Sequence, residues 1–124
     1  MSQPAAAVAT AERLYEGQPG TTEATLYTAP TYASGSPYQA GATALAKRLI
    51  VCNTTASAAT LTLYLVPSGG TAGAANELFN ALSVGAGATT ILDPEQSMNP
   101  GDFIAGLQGT ASALTVSLSG ATFQ

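Results

Sequence analysis

The chain has 124 residues, a single cysteine and no histidine, and its seven acidic and three basic residues give a formal net charge of −4. Three basic residues are too few for a phosphate-binding surface, so we expect no nucleic acid partner. The lack of histidine removes the most common general base and the usual zinc ligands, so we expect no catalytic centre, metal or other cofactor.

Residues 1–22 are predicted to be an N-terminal arm, separate from a domain that spans residues 23–124. The stretch at residues 5–15 is expected to be extended or to form a short helix that ends before Gly17. A helix this short is marginal in water and needs a partner. Leu14 and Tyr15 are therefore candidate anchors on a neighbouring subunit, and a frayed tail is the alternative interpretation.

The first segment with a strand-like pattern is TEATLYT at residues 22–28. Pro30 limits how far this predicted strand can continue. The following loop, residues 31–43, is dense in Gly, Ser and Pro and contains Tyr32 and Tyr38. An aromatic ring in a loop supplies contact area at low entropy cost, so both tyrosines are candidate binding residues. Packing of the two rings within their own loop is the alternative.

The segment at residues 45–66 carries the clearest strand signals in the chain. Leu61, Leu63 and Leu65 alternate with polar residues, as in a strand with one buried face. The apolar run at residues 49–52 predicts a second strand. Small residues separate the two, so we expect a short loop and antiparallel pairing between them.

Other residues of this segment carry their own predictions. Cys52 lies in the apolar run and is predicted to be a small core residue. Lys47 and Arg48 are adjacent on a strand and are predicted to point to opposite faces. The sequence Asn53-Thr54-Thr55 matches the N-glycosylation pattern, and we interpret the match as accidental because no secretory signal precedes it.

The second half of the chain continues the β pattern. A turn with a physical basis is expected at NPGD, residues 99–102, where proline presets the second position and glycine supplies a positive φ at the third. Gly106 is expected to mark a bulge. Further strands are predicted at residues 77–84, 88–92, 103–107 and 113–123. The sequence thus predicts an all-β fold, a single antiparallel β-sandwich of jelly-roll or immunoglobulin-like type with about seven strands.

Acidic residues offer the remaining candidates for chemistry. Asp93, Glu95 and Asp102 form the one sequence cluster of carboxylates, the residue type used in glycoside hydrolysis and in calcium binding. All three flank turns, where acids are usually solvated or cap the backbone. We therefore expect a protein that is not an enzyme.

The surface composition is typical of a protein that packs against other subunits in an assembly. Charged residues make up 8% of the chain, against roughly 25% in ordinary domains, and more than half of the residues are Ala, Gly, Thr or Ser. Such a surface has little charge repulsion and loses little side-chain entropy on contact, so we expect a homo-oligomer, preferably a trimer. No apolar run approaches 18 residues, so we expect no membrane partner.

Three segments of the chain carry a resemblance to known proteins: IVCNTTASAATLTLYLVPSGGTAGAANEL at residues 50–78, the turn NPGD, and the strand ALTVSLSG at residues 113–120. Together they resemble a family of small virion proteins of tailed bacteriophages. The resemblance covers residues 26–123. It implies a β-sandwich subunit that decorates or cements the head exterior by binding the major capsid protein or other virion subunits. It also implies localisation in the virion after synthesis in the bacterial cytoplasm, and it brings no catalytic residues.

Two alternatives stay open. The same resemblance fits a neck, tail or fibre component. A carbohydrate- or receptor-binding module that uses Tyr32, Tyr38 and the glycine-rich loops is the competing interpretation from the residues themselves.

Overall fold

The computed structural model describes residues 9–32 and 41–123, and its regular structure there is nine strands and one short 3₁₀ helix. Among these residues, no helix is long and apolar enough to cross a membrane. The strands are β1 (Ala9–Gly17), β2 (Ala24–Thr28), β3 (Ala44–Asn53), β4 (Ala59–Val66), β5 (Glu77–Val84), β6 (Thr89–Leu92), β7 (Gln96–Met98), β8 (Phe103–Gln108) and β9 (Leu114–Phe123), and the 3₁₀ helix is Ala74–Asn76.

The strands form two antiparallel sheets. Sheet A has the order β1-β9-β3-β6, with β7 also paired to β3, and sheet B has the order β2-β8-β4-β5. Strands β6 and β7 lie one after the other along the same edge of β3, opposite residues 49–52 and 44–46. They therefore act as one interrupted strand.

With β6 and β7 counted together, the sandwich is an eight-stranded jelly roll. The first half of the chain pairs with the second half in reverse order: β1 with β9, β2 with β8, β3 with β6 and β7, and β4 with β5. The predicted antiparallel β-sandwich is confirmed, in its jelly-roll form. Strands β1 and β7 are the two that sequence reasoning did not identify as strands.

The predicted pairing of the two strands in residues 45–66 is wrong. Both strands exist, but β3 lies in sheet A between β9 and β6, whereas β4 lies in sheet B between β8 and β5. The loop at residues 54–58 carries the chain from one sheet to the other. Alternation predicts that a strand has one buried face, and either sheet of a sandwich provides one.

Asn53 holds this crossing in place. Its buried side-chain Nδ2 donates to the carbonyl oxygens of Ser57 (2.8 Å) and Val84 (2.9 Å), and its Oδ1 accepts from the backbone N–H of Thr55 (2.9 Å). The Thr55 hydroxyl also donates to Oδ1. The Asn-Thr-Thr motif is thus a corner that satisfies the backbone groups of the crossing loop.

The core lies between the inner faces of the two sheets. The predicted face of β9 is confirmed, because Leu114, Val116 and Leu118 are all buried. Sheet B faces them with Leu61 and Leu63 of β4. The other larger members of the core are Leu14, Leu49, Val51, Val84, Met98 and Ile104.

The predicted N-terminal helix is wrong, because residues 9–17 form strand β1. This strand pairs with β9 from Ala9 opposite Phe123 to Gly17 opposite Val116. Leu14 is only 8% exposed and belongs to the core. The boundary predicted after residue 22 therefore falls between two strands of one sandwich. Residues 1–8 lie outside the described residues.

Cys52 is not a core residue. It is half-buried on the outer face of sheet A, while its neighbours Val51 and Asn53 point inward. A run of four apolar residues on a strand has two members on each face, so the run itself does not show which of them are buried.

Gly106 does not mark a bulge in its own strand. Gly106 pairs regularly with Ala24, and the register shift of the β2–β8 pairing lies between Thr25 and Tyr27 of β2, opposite Ala105 and Ile104. A Cβ on Gly106 would lie 2.5 Å from Cδ2 of Leu63, so glycine is needed here for close packing. The NPGD turn is confirmed, with a φ of 82° at Gly101 and a 3.0 Å hydrogen bond from Asp102 N–H to Asn99 O.

Replacing Leu14 with Ala is expected to lower the free energy of unfolding by about 2–5 kcal/mol, because the side chain is buried in the core of its own domain. Urea unfolding of the purified chain measures this loss. Glu16→Ala on the same strand is the control and should change stability by less than about 1 kcal/mol, since Glu16 makes an exposed ion pair. Equal stability of Leu14→Ala and wild type would mean that β1 does not belong to the sandwich.

Replacing Asn53 with Asp is expected to destabilise the chain by about 1–3 kcal/mol, because a carboxylate does not donate to the carbonyls of Ser57 and Val84. Thermal unfolding measures the loss. Asn80→Asp adds the same charge at an exposed position of β5 and should leave the melting temperature nearly unchanged. If both variants melt alike, the corner does not stabilise the fold.

Candidate interaction surfaces

The outer face of sheet A, here called face A, carries all three basic residues of the protein. Arg13 of β1 and Arg48 of β3 lie on either side of Ser119 of β9 in direct register. Directly paired residues of neighbouring strands point to the same face, so the two guanidinium groups share face A. Lys47 lies next to them.

Bulges on both sides of β9 create this arrangement. The register shifts between Arg13 and Tyr15 in β1, and between Ala46 and Arg48 in β3. Because the β3 bulge interrupts the alternation, Lys47 and Arg48 are both exposed and line one depression. The prediction that they point to opposite faces is therefore wrong.

The depression is open and has a volume of about 520 Å³. Gly120 is part of its lining, and a Cβ on this residue would lie 1.8 Å from the carbonyl oxygen of Leu45. The backbones of β9 and β3 therefore approach more closely than any side chain at this position would allow. The full lining is Ala11, Glu12, Arg13, Lys47, Arg48, Ser119 and Gly120.

Each basic group is paired with a carboxylate. The N–O distances are 2.9 Å for Arg13 and Glu16, 3.4 Å for Lys47 and Glu95, and 2.9 Å for Arg48 and Asp93. The hydrogen bond and the charge of Asp93 raise the pKa of Arg48. All six side chains are about half exposed or more, so each pair contributes little to folding.

The other four charged residues, Glu12, Glu23, Glu77 and Asp102, are all acidic. Glu12 alternates with Arg13 on β1, and its carboxylate accepts a 2.7 Å hydrogen bond from Oγ1 of Thr122. Face A is therefore close to electrically balanced, while the rest of the chain carries the net negative charge.

The predicted cluster of Asp93, Glu95 and Asp102 is not one site. Asp93 and Glu95 pair with cations of face A. Asp102 caps the NPGD turn, where Oδ2 accepts from Asn99 N–H at 2.9 Å. Within residues 9–32 and 41–123, no group of three or more His, Cys, Asp or Glu residues is placed to hold a metal ion.

Face A also carries two exposed isoleucines. Ile50 is 37% exposed and Ile91 is 57% exposed, and they face each other directly across the β3–β6 pairing. Cys52 follows two residues after Ile50 on the same face. Sequence reasoning missed this pair because Ile50 lies in a run interpreted as buried. Only the partner strand β6 brings Ile91 beside it.

The three predicted contact residues that the structure describes do not form one site. Leu14 is in the core, and Tyr15 is half-buried against it, where burial raises the pKa of its phenol. Tyr32 is half-buried, and its hydroxyl donates to the carbonyl oxygen of Gly41, which joins the two ends of its loop. Tyr38 lies outside the described residues.

Three loops meet at the end of the sandwich that holds Tyr32, here called the loop end. Asp102 joins them: its Oδ1 accepts from Ser68 N–H (3.0 Å), and its backbone oxygen accepts from Ala29 N–H (2.8 Å). The motifs VPSGG and NPGD are therefore in contact, since the carboxylate of one holds the backbone of the other. Sequence spacing gives no sign of this contact.

A second, smaller depression of about 240 Å³ lies where the edges of the two sheets meet, between β5 and the β6–β7 connection. Its apolar side chains, which include Leu78 and Phe79, are half-buried. The full lining is Leu78, Phe79, Leu92, Asp93, Pro94 and Gln96.

No family model and no curated protein matches the chain. Among solved structures, it is similar to a chain in the structure of infectious bursal disease virus, Gx strain, with 12% identity and a TM-score of 0.49. The match covers 94% of this chain and 31% of that chain, so this chain spans about a third of the other's length. A likeness this distant says nothing about function.

Replacing Gly120 with Ala is expected to destabilise the chain by about 3 kcal/mol or more, because the new Cβ overlaps the carbonyl oxygen of Leu45. Thermal unfolding and soluble yield measure the effect. Gly73→Ala is the control, since nothing lies within 4 Å of its Cβ position and its φ is −174°. A melting temperature of Gly120→Ala equal to that of Gly73→Ala would contradict the close approach of β9 and β3.

Proposed function

We propose that this chain is a non-enzymatic structural subunit of a tailed bacteriophage virion, a decoration or cement protein on the head exterior. The observation that carries the proposal is face A, a sheet surface with small side chains, two exposed isoleucines and neutralised charges. Such a surface suits permanent contact with another virion subunit, of which the major capsid protein is the proposed one.

The energetics of face A support docking. Exposed ion pairs leave no uncompensated charge to desolvate, and the isoleucine pair gains from removal from water. The residues of β9 on this face include Thr115, Ser117 and Ser119, which lose little side-chain entropy when ordered. A partner therefore gains from covering the isoleucines and orders few flexible side chains, and the ion pairs oppose docking least where they stay hydrated at the rim of the contact.

The buried polar groups support a structural role as well, because they hold loops. Gln108 is fully buried, its Nε2 donates to the carbonyl of Pro19, and its Oε1 accepts from Ala113 N–H (3.2 Å) and Leu114 N–H (2.8 Å). Asn53 fixes the crossing between the sheets in the same way. The hydrogen bonds of these two side chains make the subunit rigid.

The setting in a tailed phage rests on the sequence resemblance at residues 26–123. The motifs that carry it, VPSGG and NPGD, lie together at the loop end and are joined by Asp102. They maintain the subunit's shape and leave face A free for docking.

Quantitative mass spectrometry of purified particles tests the proposal by giving the copy number of this chain relative to the major shell protein. We expect a ratio near one, as for a protein that covers the head. An abundant host protein measured in the same particles sets the background. A few to a few dozen copies would favour the neck, tail or fibre alternative, and a copy number at background would contradict the virion role.

A second candidate function uses the loop end. The convergence of the Tyr32 loop with the loop at residues 67–70 and the NPGD turn favours a carbohydrate- or receptor-binding module. A glycan array distinguishes it from a cement protein. Saturable binding that is lost in Tyr32→Ala would favour the module, and no saturable binding would favour the structural role alone.

A further inference from the structure

We propose that a second copy of this chain binds face A, with Ile50 and Ile91 at the centre of the contact and Arg48 and Asp93 exchanging partners across it. This pairing is a property of the free chain in solution and goes beyond its role in a virion: a second copy occupies face A where no capsid protein covers it, so the two partners compete for one face.

The first argument is the position of the isoleucines. They are the large hydrophobic side chains that the described residues leave exposed, and they are direct neighbours across two strands. Both are β-branched and stiff, so little rotamer entropy is lost when they are covered. An apolar centre with a polar rim is the usual anatomy of a protein interface.

The second argument is charge complementarity. Face A has three ion pairs, and Glu12 lies in the lining of its depression, so two copies that meet through it bring cations and carboxylates together in nearly equal numbers. Sheet B offers no such match. Its acidic residue Glu77 lies opposite Tyr64. Burial raises the pKa of Tyr64, and the negative charges of Glu77 and Glu23 raise it further.

The third argument is the layout of the ion pair beside the isoleucines. Arg48 lies two residues before Ile50 on β3, and Asp93 lies two residues after Ile91, next to the end of β6. The β3–β6 register places Arg48 and Asp93 on the same side of the isoleucine pair. A two-fold axis that runs parallel to the strands, between Ile50 and Ile91, therefore places Arg48 of each copy over Asp93 of the other. A patch that matches itself in this way fits an isologous contact, in which both copies use the same residues.

Sedimentation equilibrium of the purified chain over a concentration series tests the pairing. We expect a monomer–dimer equilibrium for the wild type and an association weakened by about tenfold or more in I91N, because a polar group then occupies the centre of the contact. T25N makes the matched change at an exposed residue of β2 in sheet B and should associate like the wild type. A wild type that stays monomeric, or an I91N variant that associates normally, would overturn the proposal.

Reversing the charges of Arg48 and Asp93 tests whether the partner that covers face A is the same face of a second copy. In an isologous contact, R48D and D93R each place like charges opposite one another and weaken association, whereas the double variant R48D/D93R restores it. If face A instead rests on sheet B of the next copy, the double variant stays weak and the mass exceeds that of a dimer. Either that result or a trimer would overturn the proposal.

Thermal melts of all five variants, compared with the wild type, check that each change acts on association and not on folding. The particle copy number does not depend on this equilibrium, so a failure of the pairing is distinguishable from a failure of the virion role.

Discussion

Strand β9 is paired on both sides, and the form of the molecule depends on how closely it approaches β3. At Gly120 a Cβ would overlap the carbonyl oxygen of Leu45. Bulges in β1 and β3 lie beside this contact. The β3 bulge turns Lys47 and Arg48 to the same face, and the β1 bulge places both Leu14 and Tyr15 on the core side, next to Arg13 on the outer face. The bulge beside this contact thus places Lys47 and Arg48 together on face A, and the β1–β9 register places Arg13 beside them.

Local patterns in the sequence are sufficient to predict seven of the nine strands in the described residues, but not their partners. The alternation in β9 and the turn at residues 99–102 depend on residues close together in the chain, and both predictions are confirmed. The alternation in β4 is confirmed in part, because Leu61 and Leu63 are buried but Leu65 is half-buried and Thr62 is buried. The pairing of β3 with β9 joins residues more than 60 positions apart, and nothing local distinguishes it from a hairpin with β4. The same holds for β1, whose short apolar pattern fits a helix until β9 provides an edge.

The candidate surface was less accessible to sequence reasoning than the fold. The three basic residues were evident, but their grouping depends on two bulges and on the β1–β9–β3 register. Ile50 was visible as an apolar residue, yet its exposure follows from its place in the alternation of β3, and Ile91 reaches it only through the β3–β6 pairing. Tyr32 is predicted as a binding residue from its place in a loop, and it lies where three loops meet. Leu14 is predicted to contact a neighbouring subunit, but it packs in the core of its own domain.

The central proposal is that face A is covered when the chain is part of a particle. Cys52, the one thiol of the chain, lies half-buried on that face and reports on its coverage directly. The decisive measurement is the rate of maleimide labelling of Cys52 in intact particles, compared with the folded, purified chain at high dilution. The account predicts labelling slower by about tenfold or more in particles, because a covered interface excludes solvent. Equal rates would mean that face A stays open in the particle and would contradict the account.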